Sequence, residues 1–175
     1  MEDADQGETA GRPLESREPT LADLVNLCRA LNSRRAAYLV VGGFAIRAAG
    51  YDRRTMDVDL LIDTTPENES SVFDALATLP DQAVRELEAG DVARYVVVRV
   101  ADEIVVDLMG SACGIDFQEA SSEIDVHTID GVPIPFASPQ LLWRMKAPTR
   151  REKDASDLVF LEHLHRSKGI DPPRL

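Results

Sequence analysis

The apolar positions change period along the chain. From Thr20 onward Leu21, Leu24, Leu27, Cys28 and Leu31 recur every three or four residues, which predicts a helix with Thr20 as its N-cap. The period then gives way to unbroken apolar runs at 37–41 (Ala-Tyr-Leu-Val-Val) and 56–62 (Met-Asp-Val-Asp-Leu-Leu-Ile), which read as buried strands. Gly42-Gly43 breaks the first strand, a short helix is expected over 44–49, and Gly50 ends it. Pro66 opens a helix to about residue 79, and 81–88 add a turn or two. Strands over 94–100 and 103–109 form a hairpin across Ala101-Asp102, followed by a loop or short helix at 111–122. A second hairpin, 123–129 with 132–136, turns at Asp130-Gly131. Ser138-Pro139 starts a helix through Met145, and the last helix covers 150–165 before Gly169 and Pro172-Pro173 stop it. Residues 1–19 lack an apolar pattern and read as a disordered acidic lead-in, 20–168 as one domain and 169–175 as a tail. The order of elements predicts an α/β (α+β) fold: a mixed sheet flanked by helices, with a helical pair at the C-terminal end.

Composition narrows the classes. With 175 residues and 44% apolar content, the chain has enough for one real core. A net charge of -12 argues against a broad nucleic-acid surface, while the segment 144–153 leaves room for a local basic strip. Cys28 and Cys113 stand far apart without a CxxC, which suits a reducing cytoplasm and gives no zinc signature. No apolar run reaches membrane-spanning length, and the acidic start resembles no secretory signal, so a soluble cytoplasmic protein is expected.

The candidate chemistry lies at Asp57-Val58-Asp59. Two carboxylates two positions apart on a strand point to one face. Like charges that close repel, and burying them unpaired is costly, whereas a divalent cation resolves both problems. Asp107 interrupts a third apolar strand and needs a partner of its own, either a shared cation or an arginine such as Arg94 or Arg99. As a carboxylate near the site it could also take a proton from an attacking hydroxyl. The Gly42-Gly43 turn, where a strand passes into a helix, can present N–H groups to phosphate oxygens. Arg53, Arg54 and Thr55 precede the acidic strand and are candidate phosphate contacts, with a solvated loop as the plain alternative. Lys146 follows an apolar helix and could meet a phosphate as a point charge, and Asp154 and Asp157 share a helix face.

Other sites are weaker. There is no Walker A motif and no GxGxxG. His163 and His165 diverge on a helix, His127 is a lone strand histidine, and Cys28 and Trp143 read as packing.

Gly42-Gly43-Phe44-Ala45, then Arg54-Thr55-x-Asp57-x-Asp59-Leu60-Leu61, then Asp107 on a later strand, resemble the nucleotidyltransferase superfamily typified by DNA polymerase beta. Lys146 behind Leu141-Leu142, with Arg150-x-x-Lys153-Asp154-x-x-Asp157-Leu158, is similar to its AbiEii-type branch, which includes toxins of toxin–antitoxin pairs. The resemblance spans about residues 37 to 165. It implies a nucleotidyltransferase fold with a mostly antiparallel mixed sheet. It implies Mg2+ (or Mn2+) held by Asp57, Asp59 and Asp107, with Gly42, Gly43, Arg54, Thr55, Lys146 and Asp157 near the nucleotide. The expected reaction moves an NMP from an NTP such as ATP to an acceptor hydroxyl on tRNA, protein or a small molecule, with a cognate antitoxin as a possible protein partner. The alternative is a non-catalytic nucleotide-binding or antitoxin module of the same fold. The chain carries Ala49-Gly50 where many relatives have His-Gly, and Gly43 where many have Ser.

Overall fold

The computed structural model describes residues 15–171. The first helix, α1 (Leu21–Ser33), begins at Thr20, whose side chain and that of Asp23 cap each other's backbone N–H groups. Its buried face is Leu24, Val25, Leu27, Cys28 and Leu31. Strand β1 (Tyr38–Val41) runs directly into the short α2 (Gly42–Ala48), and Gly50 then leaves the helix with φ +111°. Next come β2 (Asp57–Ile62), α3 (Pro66–Leu76) and a 3-10 turn at Ala83–Glu86. A one-turn helix α4 (Asp91–Arg94) leads to β3 (Val98–Ala101) and β4 (Val105–Met109). Two-residue strands β5 (Ser111–Ala112) and β6 (Ile115–Asp116) precede α5 (Phe117–Ala120). The chain closes with β7 (Ile124–Ile129), β8 (Val132–Ala137), α6 (Pro139–Lys146) and α7 (Ala155–Ser167).

The main sheet has six strands in the order β3-β4-β2-β1-β8-β7. β3–β4, β1–β2 and β7–β8 are antiparallel, while β2–β4 and β1–β8 are parallel. This is the mixed sheet flanked by helices expected from the order of elements, and it is mostly antiparallel as the resemblance implied. Strand alternation divides its residues. Val58, Leu60, Val106, Leu108, Val98 and Val100 point one way into the core. Asp57, Asp59, Asp107 and Arg99 point the other way, because side chains two apart share a face and directly paired residues face together. Across the strands, Arg99 is opposite Asp107, Asp107 opposite Asp59, and Asp59 opposite Val41, the residue before Gly42.

Several expected boundaries move. The strand expected from Arg94 starts at Val98, because Asp91–Arg94 forms a helical turn after Gly90 (φ +93°) and Tyr95–Val97 stay exposed. The loop at 111–122 holds a small hairpin and a helical turn. The last helix starts at Ala155 rather than Arg150, because Arg150 adopts φ +50° between two 3-10 turns. Of the lead-in expected over 1–19, residues 15–19 are described and are tied to the body. Arg17 bridges Ile104 and donates its N–H to Glu103 O at 2.9 Å, and Ser16 Oγ donates to Asp102 O at 2.6 Å. Residues 1–14 and the Pro172-Pro173 stop lie outside the described residues. Among the described residues no helix is long and apolar enough to cross a membrane.

Candidate active site

The carboxylates of Asp57, Asp59 and Asp107 converge because β2 and β4 run parallel in register. Each offers an oxygen, and these oxygens lie within 4.8 Å of one another. The Gly42-Gly43 turn sits against them. Gly42 has φ +60°, and a Cβ there would stand 1.9 Å from Asp59 Oδ2. Gly43 is packed against the next segment, where a Cβ would meet Thr55 Oγ1 at 2.4 Å. Both glycines are therefore required by close approach. The nearby Gly43 backbone N–H favours the charged form of the Asp59 carboxylate. Thr55 is buried and donates from Oγ1 to Asp57 O at 3.0 Å, which pins the entry to β2.

The charges do not balance. Burial, then the Asp57 and Asp107 charges, push the Asp59 carboxyl up to about 7, against the opposing pull of Lys146 and the Gly43 N–H. Arg99 is the one guanidinium within hydrogen-bond reach of this group among the described residues. Its Nε donates to Asp107 Oδ1 at 2.8 Å and its Nη2 to Asp107 Oδ2 at 2.7 Å, and Nη2 also reaches Asp57 Oδ2 at 3.2 Å. The pKa of Arg99 is raised, first by the hydrogen bonds to Asp107 and then by its charge. Three carboxylates facing one nearby guanidinium leave a deficit of positive charge. An oxygen-rich donor set with that deficit fits a hard divalent cation.

A second layer comes from the C-terminal helices. Lys146, at the end of α6, lies 2.6 Å from Asp154 Oδ1 and 3.1 Å from Asp157 Oδ2. Asp157 also meets Arg53 Nε at 3.3 Å and is wholly buried. Tyr51 stacks on Phe160 at 5.1 Å, so α7 holds Tyr51 and Arg53, in the segment that leads to Thr55. Burial raises the Asp154 carboxyl, but the hydrogen bond and charge of Lys146 outweigh it and leave Asp154 below the usual carboxylate range. Arg54 is exposed at the rim and ion-paired with Glu18, whose carboxyl that hydrogen bond lowers.

These elements surround an open cleft of about 690 Å3. Asp57, Asp59, Asp107, Gly42, Gly43, Arg54, Thr55 and Lys146 all line it. Asp157 stands behind the wall and touches the site through Lys146 and Arg53. The lining carries Arg53, Arg54, Arg99, Lys146, Arg151 and Lys153 beside Asp57, Asp59, Asp107 and Asp154, with Asp157 behind Arg53 and Lys146 and Glu18 on Arg54. Met56, Val96 and Val97 form an exposed apolar lip on the same cleft. Sequence reasoning weighed Arg99 only as a partner for Asp107. The signal for its placement was the hairpin register, which sets 99 opposite 107. Glu18 gave no signal, since its partner is 36 positions away. His165 is buried with Nδ1 against Leu161 O, and His127 packs on Phe136, so neither belongs to the site.

No protein-family model and no curated protein matches this chain. Solved structures do. An antigenic nucleotidyltransferase-like protein from Paracoccidioides brasiliensis aligns with TM-score 0.52 and 20% identity, over 81% of this chain and 74% of that one. A putative nucleotidyltransferase from Thermotoga maritima aligns with TM-score 0.52 and 14% identity, over 83% and 96%. ANT(2")-Ia in complex with adenylyl-2"-tobramycin aligns with TM-score 0.52 and 16% identity, over 83% and 87%. At these identities the likeness is one of fold: the chain has a nucleotidyltransferase fold.

Proposed function

We propose that this protein transfers a nucleotidyl group from an NTP to an acceptor hydroxyl and releases pyrophosphate. The observation that carries the reading is the convergence of Asp57, Asp59 and Asp107 beside a Gly-Gly turn in a cleft also lined by Arg53, Arg54, Lys146, Arg151 and Lys153. The acceptor oxygen attacks the α-phosphorus, the bond to the β-phosphate oxygen breaks, and the hydroxyl proton passes to a carboxylate, Asp107 being the candidate. Magnesium or manganese held by Asp57, Asp59 and Asp107 would supply Lewis-acid stabilisation of the phosphoryl charge. Lys146 and Arg53, oriented by Asp157, face the triphosphate together with Arg54 and the Gly42-Gly43 backbone. Thr55 keeps its hydroxyl on the β2 backbone and acts by holding Asp57 in place.

The fold likeness to ANT(2")-Ia puts ATP first among the nucleotides and aminoglycosides among the small-molecule acceptors. The tail residues Lys146, Lys153, Asp154 and Asp157 favour the AbiEii-type reading: a toxin of the reducing cytoplasm, with tRNA or protein as acceptor and a cognate antitoxin as partner. The test is pyrophosphate release from each labelled NTP with Mg2+ or Mn2+, offered total tRNA, total protein and aminoglycosides. The labelled acceptor identifies the substrate. Metal-dependent turnover that Asp57→Asn and Asp59→Asn both abolish is expected. Full turnover in those variants, or none with any acceptor, would overturn the reading.

A further inference from the structure

Arg99 holds the group of acidic residues unevenly. Both oxygens of Asp107 accept from its guanidinium, at 2.8 and 2.7 Å, while only Oδ2 of Asp57 is reached, at 3.2 Å. Asp59 accepts no hydrogen bond from Arg99. A cation arriving at the free protein therefore finds Asp59 and one Asp57 oxygen open, and Asp107 occupied. A bidentate guanidinium–carboxylate pair is among the stronger polar contacts, and a metal ligand must give up that contact before it coordinates. The two partners differ in freedom. The Asp107 side chain is 9% exposed, whereas that of Arg99 is 60% exposed on an edge strand next to the exposed Val96 and Val97. Asp107 is fixed, and Arg99 has the solvent-side room to leave.

We propose that Arg99 is a positioning residue that caps Asp107 in the free protein and releases it when the anionic phosphates of a nucleotide offer the guanidinium another partner. This rests on the nucleotidyl-transfer reading and adds an order to it: the third carboxylate becomes available to a divalent cation with the nucleotide and not before it. The geometry also makes Arg99 a competitor of the cation, since both neutralise the same carboxylates.

The experiment is a nucleotide-free Mn2+ titration, followed by electron paramagnetic resonance and calorimetry, of wild type, Arg99→Gln and Arg99→Lys. A melting curve for each variant first establishes that it is folded. Arg99→Gln is expected to bind Mn2+ about tenfold or more tightly than wild type, because one strong competing contact is gone. Arg99→Lys, a point charge without the fork, is expected to fall between them and gives a second measurement if Arg99→Gln folds poorly. The gain must disappear in Arg99→Gln/Asp107→Asn. Equal or weaker Mn2+ binding in Arg99→Gln, or a gain that survives loss of Asp107, would overturn this inference alone. Absence of Mn2+ binding to every variant would overturn it together with the metal reading beneath it.

Discussion

Gly42 and Asp59 are in contact across the strand–helix turn, so close that a Cβ on the glycine would lie 1.9 Å from the Asp59 carboxylate oxygen. Gly42→Ala therefore meets two costs. The backbone sits at φ +60°, where an L side chain is disfavoured by about 1–2 kcal/mol, and the new methyl displaces Asp59. Gly114, at φ +78° with nothing within 4 Å, isolates the first cost. Thermal melts of Gly114→Ala and Gly42→Ala are expected to show the larger loss in the latter. Turnover is expected to fall at least about a hundredfold in Gly42→Ala, since a displacement near 1 Å at a reacting centre costs that much.

The unmet charge at Asp59 sets a pH dependence for the metal-free protein. Its carboxyl rises from the ordinary 3.8 to about 7, mainly through burial and then through Asp57 and Asp107. A folded state that holds its proton to higher pH loses stability as pH rises between those two values, because the unfolded chain ionises first. In EDTA the melting temperature is expected to fall between about pH 4 and pH 7 from this group. Asp59→Asn should remove that part of the decline, leaving the variant more stable than wild type by at least about 3 °C at pH 8. Added Mg2+ should reverse the order. Parallel pH profiles for the two proteins in EDTA would contradict the assignment.

The acidic core of the site was legible because carboxylates inside apolar strands are costly and so conspicuous. Val58, Leu60 and Leu61 marked β2 as buried, and Val105-Val106 with Leu108 did the same around Asp107. The common face of Asp57 and Asp59 followed from strand parity alone. What parity cannot reveal is which strands pair, and the parallel β2–β4 register that sets Asp59 opposite Asp107 is a long-range choice. Of the two partners raised for Asp107, the arginine is the one in place: Arg99 donates to both of its oxygens. The run Tyr95-Val96-Val97 looked like strand by composition, yet it faces solvent at the cleft lip. The two-residue β5 and β6 are too short to show any period. The resemblance implied a place near the nucleotide for Asp157, and strand or helix spacing alone does not show that its carboxylate is buried against Lys146 and Arg53.

Glu18 and Arg54 join the N-terminal segment to the rim of the cleft, with Arg54 Nε donating to Glu18 Oε2 at 3.1 Å. The pair is solvent-exposed, so it contributes little to stability. Its effect should appear in binding. If Arg54 contacts phosphate, Glu18 competes with the nucleotide for it. Glu18→Gln is expected to leave the melting temperature within about 1 °C of wild type and to tighten ATP binding about two- to fivefold at low salt. Arg54→Ala is expected to weaken ATP binding and to erase the Glu18 effect in the double variant. Calorimetric titration of the four proteins gives the coupling directly, and additive effects would remove Arg54 from the phosphate contacts.

Asp157 tests the division between holding and contacting. Its carboxylate is fully buried between Lys146 at 3.1 Å and Arg53 at 3.3 Å, and removing one partner of a buried charge group leaves the others uncompensated. Asp157→Ala is expected to cost about 3 kcal/mol in urea unfolding. Asp154, which keeps its own contact with Lys146 at 2.6 Å, would hold that ammonium in part. Arg53 has no such second carboxylate among the described residues, so it should lose its orientation first. The folded fraction of Asp157→Ala should therefore bind ATP less tightly, with a loss resembling that of Arg53→Ala, while its Mn2+ affinity stays at the wild-type level. A fall in Mn2+ affinity as large as the fall in ATP affinity would place Asp157 in the metal site itself, contrary to its position behind the cleft wall.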